Sequence, residues 1–574
     1  MTNSTDIAAP QNATSPAVRI GWAVLICATL YVCYFSHLGA LGFVGPDEPR
    51  YAWIARDMAE NGDWVTPRLY GQPWFEKPPL YYWGAAICFK LFGVSEAAAR
   101  LPSAICALLA TLAVAWLAWR LYGAETARWL LLLLPTTVGM IGFSHAAATD
   151  MPFSAMLTVA MVCAAVVLGL VTDGSCGLGA QHAAPLLDVT RRKWLALILF
   201  GAFLGLAVLA KGPAGVILCG GAVFFWALFT KRWRDAFRLF HPAALAAFCV
   251  TALPWYILCS RRNPDFFRIF IIEHNFKRYL TPEFQHIQPF WFYVPVLLVA
   301  LLPWTLFLIP LARNAWQRLQ DPAYRGLTIF LLSWSLLPLV FFSASKSKLP
   351  GYILPAIPPV MLLSVEGGKC LFSATSRAAR AVLYSTIFIA IGLVGLGIRF
   401  GLSLNRLSPF PPLVYDRSLS PLLLYCAGSA LGLGALFLIL WRKPRPGLLC
   451  TIGGLIAILS STPLAIFDST LSPRRTSKGI FKMMDQNQDE VLLCGVARSA
   501  RYGFNFYLRR ELVDWEQRNP RKRAIVVQGG PSCVGKIIDA DYTLRGEMDF
   551  PRWTLFDVEP PPLPASAPRG GKVQ

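Results

Sequence analysis

Charge is what this chain has least of. Of its 574 residues only 15% are Asp, Glu, Lys or Arg, while 55% are hydrophobic and the mean hydropathy is +0.49. A soluble protein of this length carries about a quarter of its residues charged, so a water-soluble multidomain enzyme is excluded. Histidine is scarce, with six in all, and none of the 14 cysteines stands in a CxxC pair. That removes zinc ribbons and thioredoxin-like redox centres. Residues 1–17 are polar and lack the basic flank and cleavage site of a signal peptide, so they read as a short disordered tail on the cytoplasmic side. No internal repeat is visible, and charge does not gather at mid-span. Both absences argue against a transporter or flippase built from paired, broken helices.

What is present is a series of apolar runs of about twenty residues, the length needed to cross about 30 Å of hydrocarbon. Spans are expected near 18–41, 98–119, 127–143, 152–172, 194–210, 213–230, 242–259, 289–311, 327–343, 352–366, 381–399, 420–440 and 447–467. The fold class is therefore a polytopic α-helical membrane protein with about thirteen transmembrane helices. A run at 79–92 is too short to cross and reads as an interfacial helix. With the N-terminus inside, clusters such as Arg191-Arg192-Lys193 and Lys231-Arg232 fall in short inner loops, as the positive-inside rule requires. Topology thus accounts for the formal charge of +21, and no nucleic-acid partner is needed.

An odd number of crossings leaves the C-terminal part outside. Residues 18–469 form the membrane domain, with a first outer loop at 42–97. Residues 470–559 are expected to form a small α/β domain, and the Pro/Gly-rich stretch 560–574 a disordered tail. Residues 491–494 and 524–527 read as strands, and the alternation of Phe504, Phe506 and Leu508 has the period of a half-buried strand. A disulfide between Cys494 and Cys533 is permitted on that side but not required by the sequence.

The outer loops mix acids with bases, whereas the inner ones are basic. Cations on the outer side run against the topology rule and need another cause. Several of them near a few carboxylates describe a site for an anionic ligand whose reaction also needs an acid or a base. Asp47 precedes Pro49, and Tyr51, Ile54, Ala55 and Met58 follow at helical spacing. It is either the cap of a surface helix or a reacting carboxylate. Lys77, between Glu76 and two prolines, is either an interfacial ion-pair partner or a phosphate contact. Lys211 sits at the outer end of its span, and Asp150 opens another, where it could serve as a helix cap. Lys346 and Lys348 end a further span and could be ordinary headgroup contacts. Glu76, Glu273 and His274 could hold a divalent ion, without diagnostic spacing.

The strings Gly45-Pro46-Asp47-Glu48-Pro49-Arg50-Tyr51, Gly62-Asp63-Trp64, Phe75-Glu76-Lys77-Pro78-Pro79, Glu273-His274, Phe290-Trp291-Phe292-Tyr293-Val294-Pro295 and Lys346-Ser347-Lys348-Leu349-Pro350-Gly351-Tyr352 resemble, in that order, bacterial aminoarabinose transferases. These modify lipid A and belong to the protein O-mannosyltransferase superfamily of GT-C glycosyltransferases. The resemblance covers residues 40–360 well and the final quarter loosely. It implies juxtamembrane helices on the periplasmic face of the bacterial inner membrane and an undecaprenyl-phosphate-linked sugar as donor. It further implies a lipid A phosphate as acceptor, and protection against cationic peptides such as polymyxin. A different sugar, or a protein or glycolipid acceptor, is the alternative within the superfamily. By the same resemblance Asp47 stands at the reacting centre; Glu48 and Asp150 are further candidates for catalytic carboxylates. Arg50, Tyr51, Glu76, Lys77, Lys211, Arg268, His274, Lys346, Lys348 and Tyr352 are the candidates for donor or acceptor binding. No cofactor is implied, because the lipid-linked donor is itself a substrate.

Overall fold

The computed structural model describes residues 15–171, 186–281, 287–372, 380–389, 392, 434–435, 443–461, 472–484, 490–517, 523–529, 533–550 and 552–561. Among them, six helices are long and apolar enough to cross a membrane: Pro16–Tyr34 (α1), Glu96–Tyr122 (α4), Asp150–Val167 (α7), Arg192–Lys211 within Leu186–Lys211 (α8), Pro242–Arg262 and Pro322–Ala344. The count rises to eight if two bent pairs are single spans. One pair, Ala124–Leu133 (α5) with Val138–Ser144 (α6), is bent by 63°, and the other, Phe290–Ala300 with Trp304–Gln320, by 107°. Several expected spans differ in form. The run at 213–230 is the 17-residue helix Ala214–Thr230 (α9), and that at 352–366 begins as a 3-10 turn, Pro350–Ala356, before Ile357–Phe372. The expected spans at 381–399 and 420–440 lie largely outside the described residues.

Capping defines the longest span. Ser95 accepts a hydrogen bond from the Ala98 N–H, Glu96 opens α4 and Arg120 lies in its last turn. Helix α7 is buried along nearly its whole length and packs between α4 and α8. An all-round apolar sequence is what such a central position demands.

Two shorter helices lie across the end of this bundle. Asp47–Asn61 (α2) and Leu80–Phe92 (α3) pack on one another through Tyr51, Ile54, Ala55, Tyr81, Tyr82 and Ala85. Gly62, in the left-handed region at φ 75°, closes α2 by donating its N–H to Met58 O. A small antiparallel pair, Arg68–Leu69 (β1) with Gln72–Pro73 (β2), joins the two helices.

The C-terminal part is a five-stranded mixed sheet in the order β4-β3-β5-β7-β6. Its strands are Glu490–Cys494 (β3), Val513–Asp514 (β4), Ala524–Gln528 (β5), Thr543–Asp549 (β6) and Thr554–Glu559 (β7). Period-2 alternation sends Val491 and Leu493 to one face and Leu492 and Cys494 to the other. Cys494 is disulfide-bonded to Cys533, with Cα atoms 6.1 Å apart.

Phe504, Phe506 and Leu508, expected in a strand, belong instead to the helix Arg498–Leu508. Phe504 and Leu508, four residues apart, face the sheet. Phe506, on the other side, enters the α2–α3 cluster. A helix buried on two opposite faces imitates strand alternation. That helix is also what docks the sheet on the bundle. Arg56 donates to Phe506 O at 3.2 Å, and the Phe43 and Phe506 rings meet edge-on at 4.8 Å. Tyr507 Oη accepts from Phe43 N and donates to Glu96, both at 2.9 Å.

Candidate active site

Asp47 is the first residue of α2, directly after the N-cap Pro46. One turn on, Arg50 donates to the Asp47 carboxylate, and its other terminal nitrogen reaches Glu76 at 3.1 Å. The Asp47 side chain is 46% exposed, whereas those of Arg50 and Glu76 are buried. Aromatic rings surround the guanidinium, with centroids 5.2 Å (Tyr502), 5.6 Å (Trp74) and 5.7 Å (Tyr51) away. Burial works against the Arg50 charge, but the Glu76 and Asp47 carboxylates outweigh it and hold the pKa above its ordinary value. Burial, then Glu76 and Asp47, push the Tyr51 hydroxyl well above the usual range, so it stays protonated.

The Phe75-Glu76-Lys77 turn joins this group to a cavity. Glu76 points to Arg50, while Lys77, 3.7 Å from Glu76, lines a cavity of about 380 Å³ shared with Lys211, His274, Tyr279, Phe342, Ser347 and Tyr352. Lys211, at the end of α8, pairs with Asp150, the first residue of α7, and its ammonium lies 4.5 Å from the Tyr352 ring centroid. The backbone comes close here: a Cβ at Gly351 would meet Asp150 Oδ1 at 2.7 Å. A lining that combines the Lys77 and Lys211 ammonium groups with aromatic and aliphatic side chains suits a ligand with an anionic head and a hydrocarbon chain.

Four expected site residues have other work. Glu48 accepts from Val44 N and Ala147 N, and from Arg100 Nε and Nη2 at 2.9 and 2.8 Å. Both its oxygens are occupied inside the protein, so it is a structural carboxylate rather than a reacting one. Lys348 spends its ammonium on the carbonyls of Ser345 and Gln288, and burial, then Lys346, lowers its pKa. Lys346 is exposed beside the cavity-lining serines and does not itself line it. Arg268 is exposed and pairs with Asp265 at 3.2 Å and with Glu273 on the surface of its own π-helical segment, Arg268–Lys277. Glu273 and Glu76 are thus both engaged by arginines, and no group of three or more His, Cys, Asp or Glu among the described residues could hold a metal ion.

Sequence reasoning missed Arg100, Trp74 and Tyr502. Arg100 lies in an apolar run and looks like a span-end arginine. Tyr502 lies in the part of the chain least like the family's motifs. No spacing rule joins residues this distant; only the fold brings them to Glu48 and Arg50.

Comparisons with known proteins bear on the fold and the family. Residues 20–270 match the dolichyl-phosphate-mannose-protein mannosyltransferase family. The undecaprenyl phosphate-alpha-4-amino-4-deoxy-L-arabinose arabinosyl transferase of Erwinia tasmaniensis is 30% identical over 93% of this chain and 90% of its own length. Its namesake from Edwardsiella ictaluri is 32% identical over 66% of this chain, a match that spans 64% of that relative. The crystal structure of ArnT from Cupriavidus metallidurans bound to undecaprenyl phosphate superposes with a TM-score of 0.72, at 22% identity, over 94% of this chain and 98% of that one. The fold is therefore that of a GT-C membrane glycosyltransferase, and the chain belongs to the family of undecaprenyl phosphate-alpha-4-amino-4-deoxy-L-arabinose arabinosyl transferases.

Proposed function

We propose that this glycosyltransferase moves 4-amino-4-deoxy-L-arabinose from undecaprenyl phosphate to a phosphate group of lipid A, masking negative charge against cationic peptides. The observation that carries this reading is the Glu76-Lys77 turn. It couples a charged group with one open carboxylate to a half-apolar cavity edged by Lys77 and Lys211. A polyprenyl phosphate suits such a cavity by its charge and by its hydrocarbon chain. Lysine about 4 Å from a phosphate oxygen gains about 4 kcal/mol at an effective dielectric near 20, before desolvation.

In the transfer, an acceptor phosphate oxygen forms the new bond to the anomeric carbon as the bond to the polyprenyl phosphate oxygen breaks. The departing phosphate takes the electron pair, and Lys77 and Lys211 stabilise its charge. An anionic acceptor needs no general base. Asp47 then serves by orienting the sugar amine and stabilising positive character at the anomeric carbon. In a hydroxyl-accepting enzyme of the superfamily the same carboxylate would be the base. No cofactor is invoked.

The reading places the protein in the bacterial inner membrane with thirteen crossings, the N-terminus in the cytoplasm, and both the site and the 470–559 domain in the periplasm. The Cys494–Cys533 bond supports that side, since disulfides persist in oxidising compartments. Mass spectrometry of lipid A from cells with and without the gene tests it. A mass gain of one pentosamine that depends on the gene is expected, and unmodified lipid A in both strains would refute the reading.

A further inference from the structure

We propose that Tyr502, carried by the C-terminal sheet domain, is a positioning residue for the transfer, so that the working site is assembled from both parts of the chain. This rests on the function proposed above. Of the three rings around the Arg50 guanidinium, that of Tyr502 has the nearest centroid, 5.2 Å away. Trp74 and Tyr51 come from the membrane part, so Tyr502 adds a ring from the docked domain.

Tyr502 is itself held. Its Oη accepts from Arg498 Nε and Nη2 at 3.4 Å each. The helix that bears it is tied to α2 through Phe506 O and to the loop before α2 through Phe43 N. The same loop carries Gly42, where a Cβ would meet Tyr507 Oη at 2.8 Å, so the docking surfaces sit in direct contact. At its leading end the helix follows β3, which ends at the disulfide-bonded Cys494.

The physical consequence runs through Arg50. A guanidinium kept out of water binds its carboxylates more strongly, and an aromatic face adds attraction without competing for its N–H donors. With the ring in place, Arg50 has one arrangement, between Glu76 and Asp47, and the exposed Asp47 carboxylate is aimed. Without it, water reaches the guanidinium and Asp47 samples other directions. The ring therefore governs the reacting step and not the capture of the lipid, whose phosphate lies against Lys77 and Lys211.

Kinetics of the full-length protein in lipid nanodiscs, with the aminoarabinose-linked polyprenyl phosphate and lipid A, test this. Tyr502→Met removes the aromatic face but keeps a long apolar side chain, and it should lower kcat on the order of tenfold, with the donor KM unchanged. Tyr502→Phe keeps the face and should restore kcat. Wild-type kcat in Y502M, a Y502F as impaired as Y502M, or a change confined to KM would each overturn the proposal. If the wild-type protein transfers nothing from this donor, the functional reading fails by itself. Cryo-EM maps of the wild type and Y502M then decide: Arg50 displaced from Asp47 in the variant upholds the positioning role, and an unmoved Arg50 overturns it.

Discussion

Asp47 and Glu48 are neighbours on the first turn of one helix, and the protein uses them in opposite ways. Four donors close around Glu48, two from Arg100 and two from backbone N–H groups. Asp47 receives Arg50 and keeps 46% of its side chain open. The contrast separates a carboxylate that builds a site from one that can act in it. Saturated hydrogen bonding and burial mark the first, whereas a single cationic partner and a free edge mark the second. The same distinction divides the lysines: Lys348 is tied to carbonyls, and Lys77 faces a cavity.

Removing either half of the closed pair should have the largest effect. Glu48→Ala or Arg100→Ala leaves a buried charge without its partner, and the loss should be about 3–5 kcal/mol of stability, read as a lower unfolding temperature in detergent. Asp47→Asn should do the reverse. The unfolding temperature and donor binding stay as in the wild type, while transfer falls on the order of 10²–10³-fold. An Asn variant of full activity in a reconstituted assay would erase the contrast. Lys77→Ala should weaken binding of undecaprenyl phosphate by about tenfold, the worth of one charged phosphate contact, as measured by titration in micelles. Arg268→Ala marks the lower end. An exposed arginine paired on its own segment should change donor affinity by less than about twofold, and a larger loss would return it to the site.

The membrane class was legible because hydropathy is a local property, but of the thirteen expected spans the described residues show six helices long and apolar enough to cross, or eight with the bent pairs. The breaks carry a local signal too, since Pro135 and Pro303 stand at them, but the size of the bends, 63° and 107°, is given only by the fold. The α2 helix was readable from Tyr51, Ile54, Ala55 and Met58, which share one buried face. Of the residues gathered at the site, Asp47, Lys77 and Lys211 stand out in the sequence as charges beside apolar spans and His274 by its helical spacing, whereas Tyr352 comes only from the family resemblance. Separating them from Glu48, Arg268 and Lys348 was beyond the sequence, since all carry charge in the same loops. What distinguishes them is the direction of each side chain, which contacts distant in sequence decide. Arg100 reaches Glu48 across 52 positions, and Tyr502 reaches Arg50 from another domain.

Arg100 has one more effect. It grips the carbonyls of Leu38, Leu41 and Gly42 from the second turn of α4, a 27-residue helix. The loop that launches α2 is therefore braced on a rod embedded in lipid, so the altitude of Asp47 over the hydrocarbon follows the tilt of that rod. Helices tilt to match bilayer thickness. Acyl-chain length should thus tune how far the carboxylate stands from an acceptor headgroup, making turnover a gauge of the surrounding membrane.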